Sequence, residues 1–209
     1  MKSIDRAIAI ILIGGVFPLL FLILALVLWF TIDKNVENVW FYLIPGLITG
    51  VLIDVKYLTN WIERRYRLRL WFVSGIYIFH SICIYVMLMG VPVLNLFLGL
   101  IAGYYYAKKI QYLNIPYEHQ NRIKTNVSLF TALTMALLCT TSGIVAISYD
   151  STGENLRNLF RLNFEVTKAM ILGIALAGGI TLIGIQYFLT RLTMNIMIKN
   201  IDVSDNTRR

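Results

Sequence analysis

The chain has 209 residues, of which 58% are hydrophobic and 14% charged, and its mean hydropathy is +0.70. Soluble domains carry about 25% charged residues, so this composition excludes an ordinary soluble protein and predicts an integral membrane protein. The net charge of +8 could indicate nucleic-acid binding, but the basic residues lie in short loops between apolar runs. That distribution is typical of orientation in a bilayer and of contact with anionic lipid headgroups, and we expect no nucleic-acid partner.

Six apolar windows follow one another along the chain, each near the twenty or so residues that cross about 30 Å of hydrocarbon. They cover residues 7–30, 39–58, 70–89, 91–107, 126–148 and 168–190. The third and fourth windows are separated only by Gly90, Val91 and Pro92, which predicts a tight turn and an antiparallel hairpin. The sequence therefore predicts an all-α fold, a bundle of six transmembrane helices in a single domain over residues 1–209.

The lysines and arginines are distributed unequally between the two sides of this predicted bundle. One side holds Lys34, Arg157, Arg161 and Lys168, and the other side holds all the rest. By the positive-inside rule the richer side is cytoplasmic. The sequence thus predicts a multi-pass protein of the cell membrane with both termini in the cytoplasm.

Two cytoplasmic loops of this predicted topology are basic. Their charged residues include Arg64, Arg65, Arg67, Arg69, Lys108 and Lys109. Contact with the anionic headgroups of the lipid bilayer explains such loops. The alternative interpretation is that these residues dock a protein partner at the cytoplasmic face.

The loop between the fifth and sixth windows has helical features of its own. Ser151 and Glu154 match the S-x-x-E capping box that begins many helices. The apolar residues that follow fall on one helical face: Leu156, Leu159, Phe160 and Phe164. We predict a short amphipathic helix at the outer membrane interface, which serves either as a connector or as a lid over an outward-facing cavity.

Small residues recur at four-residue spacing in several windows, and this spacing lets helix backbones approach closely. The positions predicted to pack against neighbouring helices are Gly46, Gly50, Gly99, Gly103, Gly173 and Ala177. Such stripes favour a compact helix bundle.

Polar side chains inside membrane spans are the default candidates for a functional site. The sequence offers Asp54, His80, Asn95 and Gln186 as hypothetical substrate- or ion-binding residues. In the predicted bundle Asp54 and Gln186 lie near the inner ends of their spans, His80 near the middle and Asn95 near the outer end. Asn95, His80 and Asp54 could mark the outer, middle and inner levels of one pathway. Structural hydrogen bonds, or for Asp54 an ion pair, are the alternative explanation for these residues and for Gln186.

Asp54 is the acidic residue predicted within a span, and it shares a helical face with Gly46 and Gly50. One interpretation is a structural contact, in which a basic side chain or a backbone donor pairs with the carboxylate. The other interpretation is a proton- or cation-linked site. The residue pattern leaves both interpretations open.

No metal, cofactor or catalytic site is predicted. Cys83 and Cys139 lie in apolar runs without metal-ligand spacing, and His80 alone cannot supply two protein ligands to a haem. Motifs of metalloproteases, serine hydrolases and P-loop proteins are missing from the sequence, so an enzyme is not favoured. Two classes of function stay open: a small transporter, or the membrane subunit of a larger one, and a non-catalytic membrane scaffold.

The stretch FYLIPGLITGVLIDVKYL resembles the second span of the substrate-binding subunits of energy-coupling-factor vitamin transporters. That pattern has an aromatic residue, a proline, spaced glycines and an aspartate, here Phe41, Pro45, Gly46, Gly50 and Asp54. The predicted six spans and cytoplasmic termini also match that family, and the resemblance implies the membrane subunit of a transporter. The first span departs from that family because it lacks the family's A-x-x-x-A pair.

Overall fold

The computed structural model describes residues 10, 13–87, 90–161 and 163–206. The fold is 87% helical, and the described residues contain no β-strand, so the predicted all-α class is confirmed. The helices are α1 Val16–Ile32, α2 Val39–Glu63, α3 Leu70–Met87, α4 Asn95–Tyr112, α5 Tyr117–Ser148, α6 Thr152–Phe160 and α7 Lys168–Asn206. Single 3-10 turns lie at Val36–Asn38, Arg65–Arg67 and Pro92–Leu94.

Four helical segments in the described part of the chain are long and apolar enough to cross a membrane. They are Val36–Glu63, Leu70–Met87, Tyr117–Ser148 and Lys168–Lys199. α1 is apolar but has only 17 residues, and α4 is not one of the four. These lengths and compositions support a membrane protein. The six-span count, the type of membrane and the side on which the termini lie stay predictions.

The chain forms two compact units, Met1–Cys83 and Ile84–Arg209. The boundary between them falls within α3. The first unit contains α1 and α2, and the second contains α4, α5, α6 and α7. The assignment of all residues to a single domain stays a prediction.

In the first unit α1 and α2 form an antiparallel hairpin. The turn between them has Lys34 in the left-handed conformation, with φ 59°. The Asn35 side chain accepts a hydrogen bond from the Glu37 N–H at 3.2 Å, and the Asn38 amide donates to the Asp33 carboxylate at 2.9 Å. The Asn35 and Asn38 side chains therefore form hydrogen bonds within the turn, and these bonds fix the direction in which α2 begins.

In the second unit α5 and α7 run antiparallel. A Cβ placed at Gly179 would lie 3.5 Å from the Cys139 Cβ, and the hydroxyl oxygens of Thr131 and Thr190 lie 3.0 Å apart. Because small residues occupy the contact, the two helices approach closely over much of their length.

The loop between α5 and α7 contains α6, which occupies the position that the sequence predicts for a short helix. The predicted capping box is not formed, since the Ser151 side chain makes no capping hydrogen bond. Ser151 has φ −74° and ψ −8°, whereas a capping residue takes an extended backbone. The Ser151 carbonyl accepts a hydrogen bond from the Asn155 N–H at 2.9 Å, so Ser151 contributes to the start of α6 through its backbone alone. The location of α6 at an outer membrane interface stays a prediction.

An ion pair closes the base of this loop, with Lys168 Nζ 2.7 Å from Asp150 Oδ1. The hydrogen bond from Lys168, and then its positive charge, hold the pKa of Asp150 below its ordinary value. A carboxyl group whose pKa is lowered by folding stabilises the folded loop above its unfolded pKa. That stabilisation is lost as the pH falls through the lowered value, below about 4.

We expect Asp150→Asn to speed amide hydrogen exchange of residues 149–161 at pH 7, because the tie at the base of the loop is lost. The effect is expected to be small, since both partners are largely exposed and water weakens such pairs. The difference between this variant and wild type should shrink as the pH is lowered below about 4, and Glu154→Gln in the same loop serves as the control. Equal exchange in Asp150→Asn and wild type at pH 7 would show that the ion pair does not hold the loop.

Candidate functional site

The carboxylate of Asp54 accepts a hydrogen bond from the backbone that precedes α1. The Gly15 N–H donates to Asp54 Oδ2 at 2.8 Å, and the Asp54 side chain is buried. Gly15 has φ 84°, a left-handed conformation that glycine adopts without strain. Asp54 thus lies at the N-terminus of α1, where unpaired N–H groups and the helix dipole favour an anion.

Gly46 and Gly50 bring α2 close enough to α1 for this contact. A Cβ placed at Gly50 would lie 2.6 Å from the Pro18 Cα, and one at Gly46 would lie 2.8 Å from the Ala25 Cβ. Only glycine leaves room for the neighbouring helix at such distances. Asp54 follows Gly50 by about one helical turn on the same face, so the close approach carries its carboxylate to the start of α1.

His80 lies in α3 and is half-buried. Its Nδ1 lies 2.9 Å from the carbonyl oxygen of Ile76, one turn earlier in the same helix. Because a carbonyl only accepts, Nδ1 carries the proton in this contact. The Phe79 ring lies edge-on to the imidazole, with 5.8 Å between the ring centroids. The structure therefore gives this histidine a local partner, and its ligand or relay role stays a prediction.

α4 packs parallel to α7 through its two glycines. A Cβ placed at Gly99 would collide with the side chain of Gln186. One placed at Gly103 would lie 2.7 Å from the Thr190 carbonyl oxygen and 3.0 Å from the Thr193 Cβ. The GxxxG pair of α4 thus faces the polar positions of α7, and the contact is specific for glycine.

Asn95 and Gln186 were expected near opposite ends of their spans, and the structure corrects this expectation. Gln186 is fully buried against Gly99, and Asn95, 2% exposed, precedes Gly99 by about one turn. The two amides therefore lie at similar levels along α7. The reason is that α4 lies at the level along α7 where Gly99 and Gly103 both contact that helix. The length of an apolar window in the sequence does not reveal this level.

Buried hydroxyl groups extend this contact to α5. Thr131 Oγ1 and Thr190 Oγ1 lie 3.0 Å apart, and the Thr190 hydroxyl also donates to the Gln186 carbonyl oxygen at 2.9 Å. Ser128 is fully buried about one turn before Thr131. Polar groups between apolar helices are stabilised by such hydrogen bonds. Gln186 thus belongs to a polar contact among α4, α5 and α7, and Asn95 is buried about one turn before the glycine that Gln186 contacts.

A groove of about 170 Å³ lies between α5 and α7. Pro92 in the turn before α4 lines it, as does Leu182 of α7. These two residues lie about one turn from Asn95 and Gln186, so the polar contact is adjacent to this end of the groove. The remaining lining residues are small or apolar: Cys139, Ser142, Gly143, Ala146, Ile174, Ala175, Gly178 and Gly179.

Gly173 and Ala177, predicted to pack against another helix, face away from the contact with α5. A Cβ placed at Gly173 would meet no atom of the described residues within 4 Å, and Ala177 is exposed. Ala175 and Gly179 occupy the contact instead. Small residues four apart therefore do meet α5, but they lie on a different face of α7 from the predicted one. The reason is that α7 carries small residues on several faces, and their spacing does not choose among these faces.

Two of the six basic residues predicted to contact headgroups or a partner are buried. The Arg65 guanidinium donates to the Ile62 carbonyl oxygen at 2.6 Å, which satisfies a carbonyl near the end of α2. Arg65 and Lys109 are each 8% exposed. The others are exposed or half-buried: Arg64, Arg67, Arg69 and Lys108. These four residues carry the docking prediction.

The hydroxyl pair and the groove were missed by the sequence analysis. Thr131, Thr190 and Ser142 are polar residues in apolar runs, the same signal that singled out Asn95 and Gln186. Serine and threonine often bond to the backbone of their own helix, however, so the signal is weak for them. The groove depends on how α5 and α7 are spaced, which no residue pattern reveals.

No group of three or more histidine, cysteine, aspartate or glutamate side chains that could hold a metal ion occurs in the described part of the chain. No protein-family model, curated protein or solved structure matches the chain. The likeness to vitamin-transporter subunits is therefore limited to the residues around Asp54. A function has to be argued from the geometry of the site.

Proposed function

We propose that the protein is a small membrane carrier, or the membrane subunit of a larger transporter, that binds a small uncharged solute in the groove between α5 and α7. The observation that carries the proposal is the groove itself, an open concave surface between helix segments without charged residues. Small-molecule sites are usually concave and mostly apolar, with a few polar groups. Ser142 supplies such a group.

The four polar residues singled out in the sequence take different parts in this proposal. Gln186 lies about one turn from the groove in the contact among α4, α5 and α7, and Asn95 is buried about one turn from Pro92 of the groove lining. Asp54 caps α1 in the other unit, and His80 bonds to its own helix. We therefore propose that solute binding does not depend on a proton carried by Asp54.

Filling the groove should block solute movement. In proteoliposomes that swell on uptake of glycerol or urea, we expect Ala146→Leu, whose side chain would occupy the groove, to reduce the swelling rate at least tenfold. Val145→Leu is the matched control, because Val145 is 46% exposed, adjacent in sequence and outside the lining. Potassium and chloride serve as charged comparison solutes, and we expect neither to enter.

Equal uptake by Ala146→Leu and wild type would show that the groove is not the solute site. If wild type moves none of these solutes, the alternative function is favoured, a non-catalytic scaffold at the membrane. In that case the exposed side chains Arg64, Arg67 and Arg69 are the proposed docking residues, and a protein that copurifies with the chain should be lost when they are replaced by glutamine.

A further inference from the structure

We propose that Arg191 binds the phosphate group of an anionic membrane lipid where the apolar segment of α7 ends. The site lies more than two helical turns beyond Leu182, the last residue of α7 that lines the groove. Lipid binding there is independent of the carrier function, because it requires neither the groove nor a solute. Three features lead to this ligand: the partners of the Arg191 guanidinium, its level at the membrane boundary and the apolar side chains beside it.

The Arg191 guanidinium bridges α5 and α7 through neutral partners. Its Nη1 donates to the Tyr187 hydroxyl oxygen at 2.7 Å, and its Nη2 donates to Asn121 Oδ1 at 3.3 Å. The guanidinium carbon also lies 5.9 Å from the centroid of the Tyr187 ring. These contacts hold the charged group in one position without neutralising its charge.

Arg191 is half-buried and forms no ion pair among the residues that the structure describes. Glu118, the acidic residue of α5, lies about one turn before Asn121 and is not paired with it. The charged residues within about one turn after Asn121 are basic, Arg122 and Lys124. A guanidinium has five N–H donors, so the two hydrogen bonds of Arg191 leave three donors. Because a partly buried charge is costly unless it is paired, this group favours an anion.

Arg191 lies where α7 leaves the hydrocarbon. α7 has no charged residue between Lys168 and Arg191, and at a rise of 1.5 Å per residue these two residues lie about 34 Å apart. This length matches a hydrocarbon core of about 30 Å. Asn121 likewise lies outside the uncharged segment of α5, which begins after Lys124. The guanidinium is therefore at the level of the lipid phosphates.

Exposed apolar side chains lie beside the site on the membrane side. Phe188, 62% exposed, lies about one turn before Arg191, and Ile185, 40% exposed, lies about one turn earlier still. On α5 Leu129 is 61% exposed. These side chains place acyl chains next to Arg191, and an arginine fork binds phosphate oxygens in pairs. Charge complementarity and the neighbouring acyl chains thus both favour an anionic phospholipid over an acidic protein segment.

Native mass spectrometry of the full-length protein in mild detergent measures this binding. The protein is titrated with phosphatidylglycerol or with phosphatidylcholine of the same acyl chains. We expect wild type to bind phosphatidylglycerol about fivefold more tightly, because no cationic headgroup balances its phosphate. Arg191→Gln is expected to lower the affinity for phosphatidylglycerol about fivefold, to that for phosphatidylcholine. Inorganic phosphate, compared with chloride at equal ionic strength, should not displace the lipid, and displacement would show that the site takes free phosphate instead.

Lys199→Gln is the matched control, because it removes the same charge from the same helix. Lys199 is exposed and lies about 12 Å beyond Arg191 along α7. Salt screens charges at that distance, so we expect the affinity for phosphatidylglycerol to stay within about twofold of wild type. Equal affinities in Arg191→Gln and wild type would overturn the lipid site. Equal losses in Arg191→Gln and Lys199→Gln would also overturn it, since general charge attraction would then explain the binding.

Tyr187→Phe tests the site without removing the cation. The change keeps the ring and removes the hydroxyl that holds Nη1 of Arg191. We expect the affinity for phosphatidylglycerol to fall about twofold, the effect of one modest hydrogen bond, while the thermal unfolding temperature stays that of wild type. If Arg191→Gln does not fold, an unchanged lipid affinity in Tyr187→Phe overturns the site.

Discussion

Replacing Gly50 or Gly103 by alanine is expected to lower the free energy of unfolding by about 1–3 kcal/mol, the usual cost of adding a methyl group to a closely packed contact. The new Cβ at position 50 would lie 2.6 Å from the Pro18 Cα, and that at position 103 would lie 2.7 Å from the Thr190 carbonyl oxygen. Both obstructing atoms belong to the backbone, so a side-chain rotation cannot relieve the overlap. Two neighbouring helices would have to separate. The measurement is denaturant unfolding in detergent micelles.

Matched controls are available in each compact unit. Gly75 in α3 and Gly173 in α7 have open space where a Cβ would be added. Alanine at these positions is expected to leave stability unchanged or to raise it by up to about 1 kcal/mol, because glycine is the weaker helix former. If all four variants were equally stable, the two glycine contacts described here would not hold these helices together.

Replacing Asp54 by alanine is expected to cost about 1.5–3 kcal/mol of stability, the contribution of a hydrogen bond to a charged group. The change removes the acceptor of the Gly15 N–H and leaves that partly buried donor without this hydrogen bond. Asp54→Asn keeps an oxygen at the same position, so we expect it to retain most of the stability. Thermal unfolding of the purified variants in detergent measures both effects.

Asp54→Asn also separates the two interpretations of this carboxylate. A structural cap tolerates the neutral amide, and solute uptake should stay within about twofold of the wild-type rate. Lys56→Ala is the matched control for a nearby exposed charge on the same helix. Loss of uptake in a stably folded Asp54→Asn protein would instead establish a proton- or cation-linked role.

Composition was sufficient to predict an all-α membrane protein. Long apolar runs leave few alternatives, because a backbone in lipid must satisfy its own hydrogen bonds within helices. The apolar run at residues 91–107 shows that composition does not predict where a helix begins. It has the composition of a span, but the structure has a turn over Pro92–Leu94 and begins α4 at Asn95. The glycine contacts with α7, and not the length of the apolar run, decide the level at which α4 lies.

Candidate residues could be chosen from the sequence, but their partners could not. Asp54 was recognised as an unusual carboxylate with a backbone donor as one possible partner, and the structure supplies Gly15. Arg65 was assigned to the surface, yet its guanidinium bonds to the end of α2. A long side chain can extend to water or fold back onto its own helix, and sequence does not distinguish these.

From the sequence by itself we could predict a membrane protein of the all-α class. The sequence also identified four glycines that pack closely against a neighbouring helix: Gly46, Gly50, Gly99 and Gly103. These follow from local chemistry, since apolar length and the absence of a side chain act wherever the residue lies. Only the tertiary structure decided which face of α7 meets α5, how far α4 is displaced along α7, and that a groove lies between them. Those features depend on the relative positions of helices, which are fixed by contacts between residues far apart in the chain.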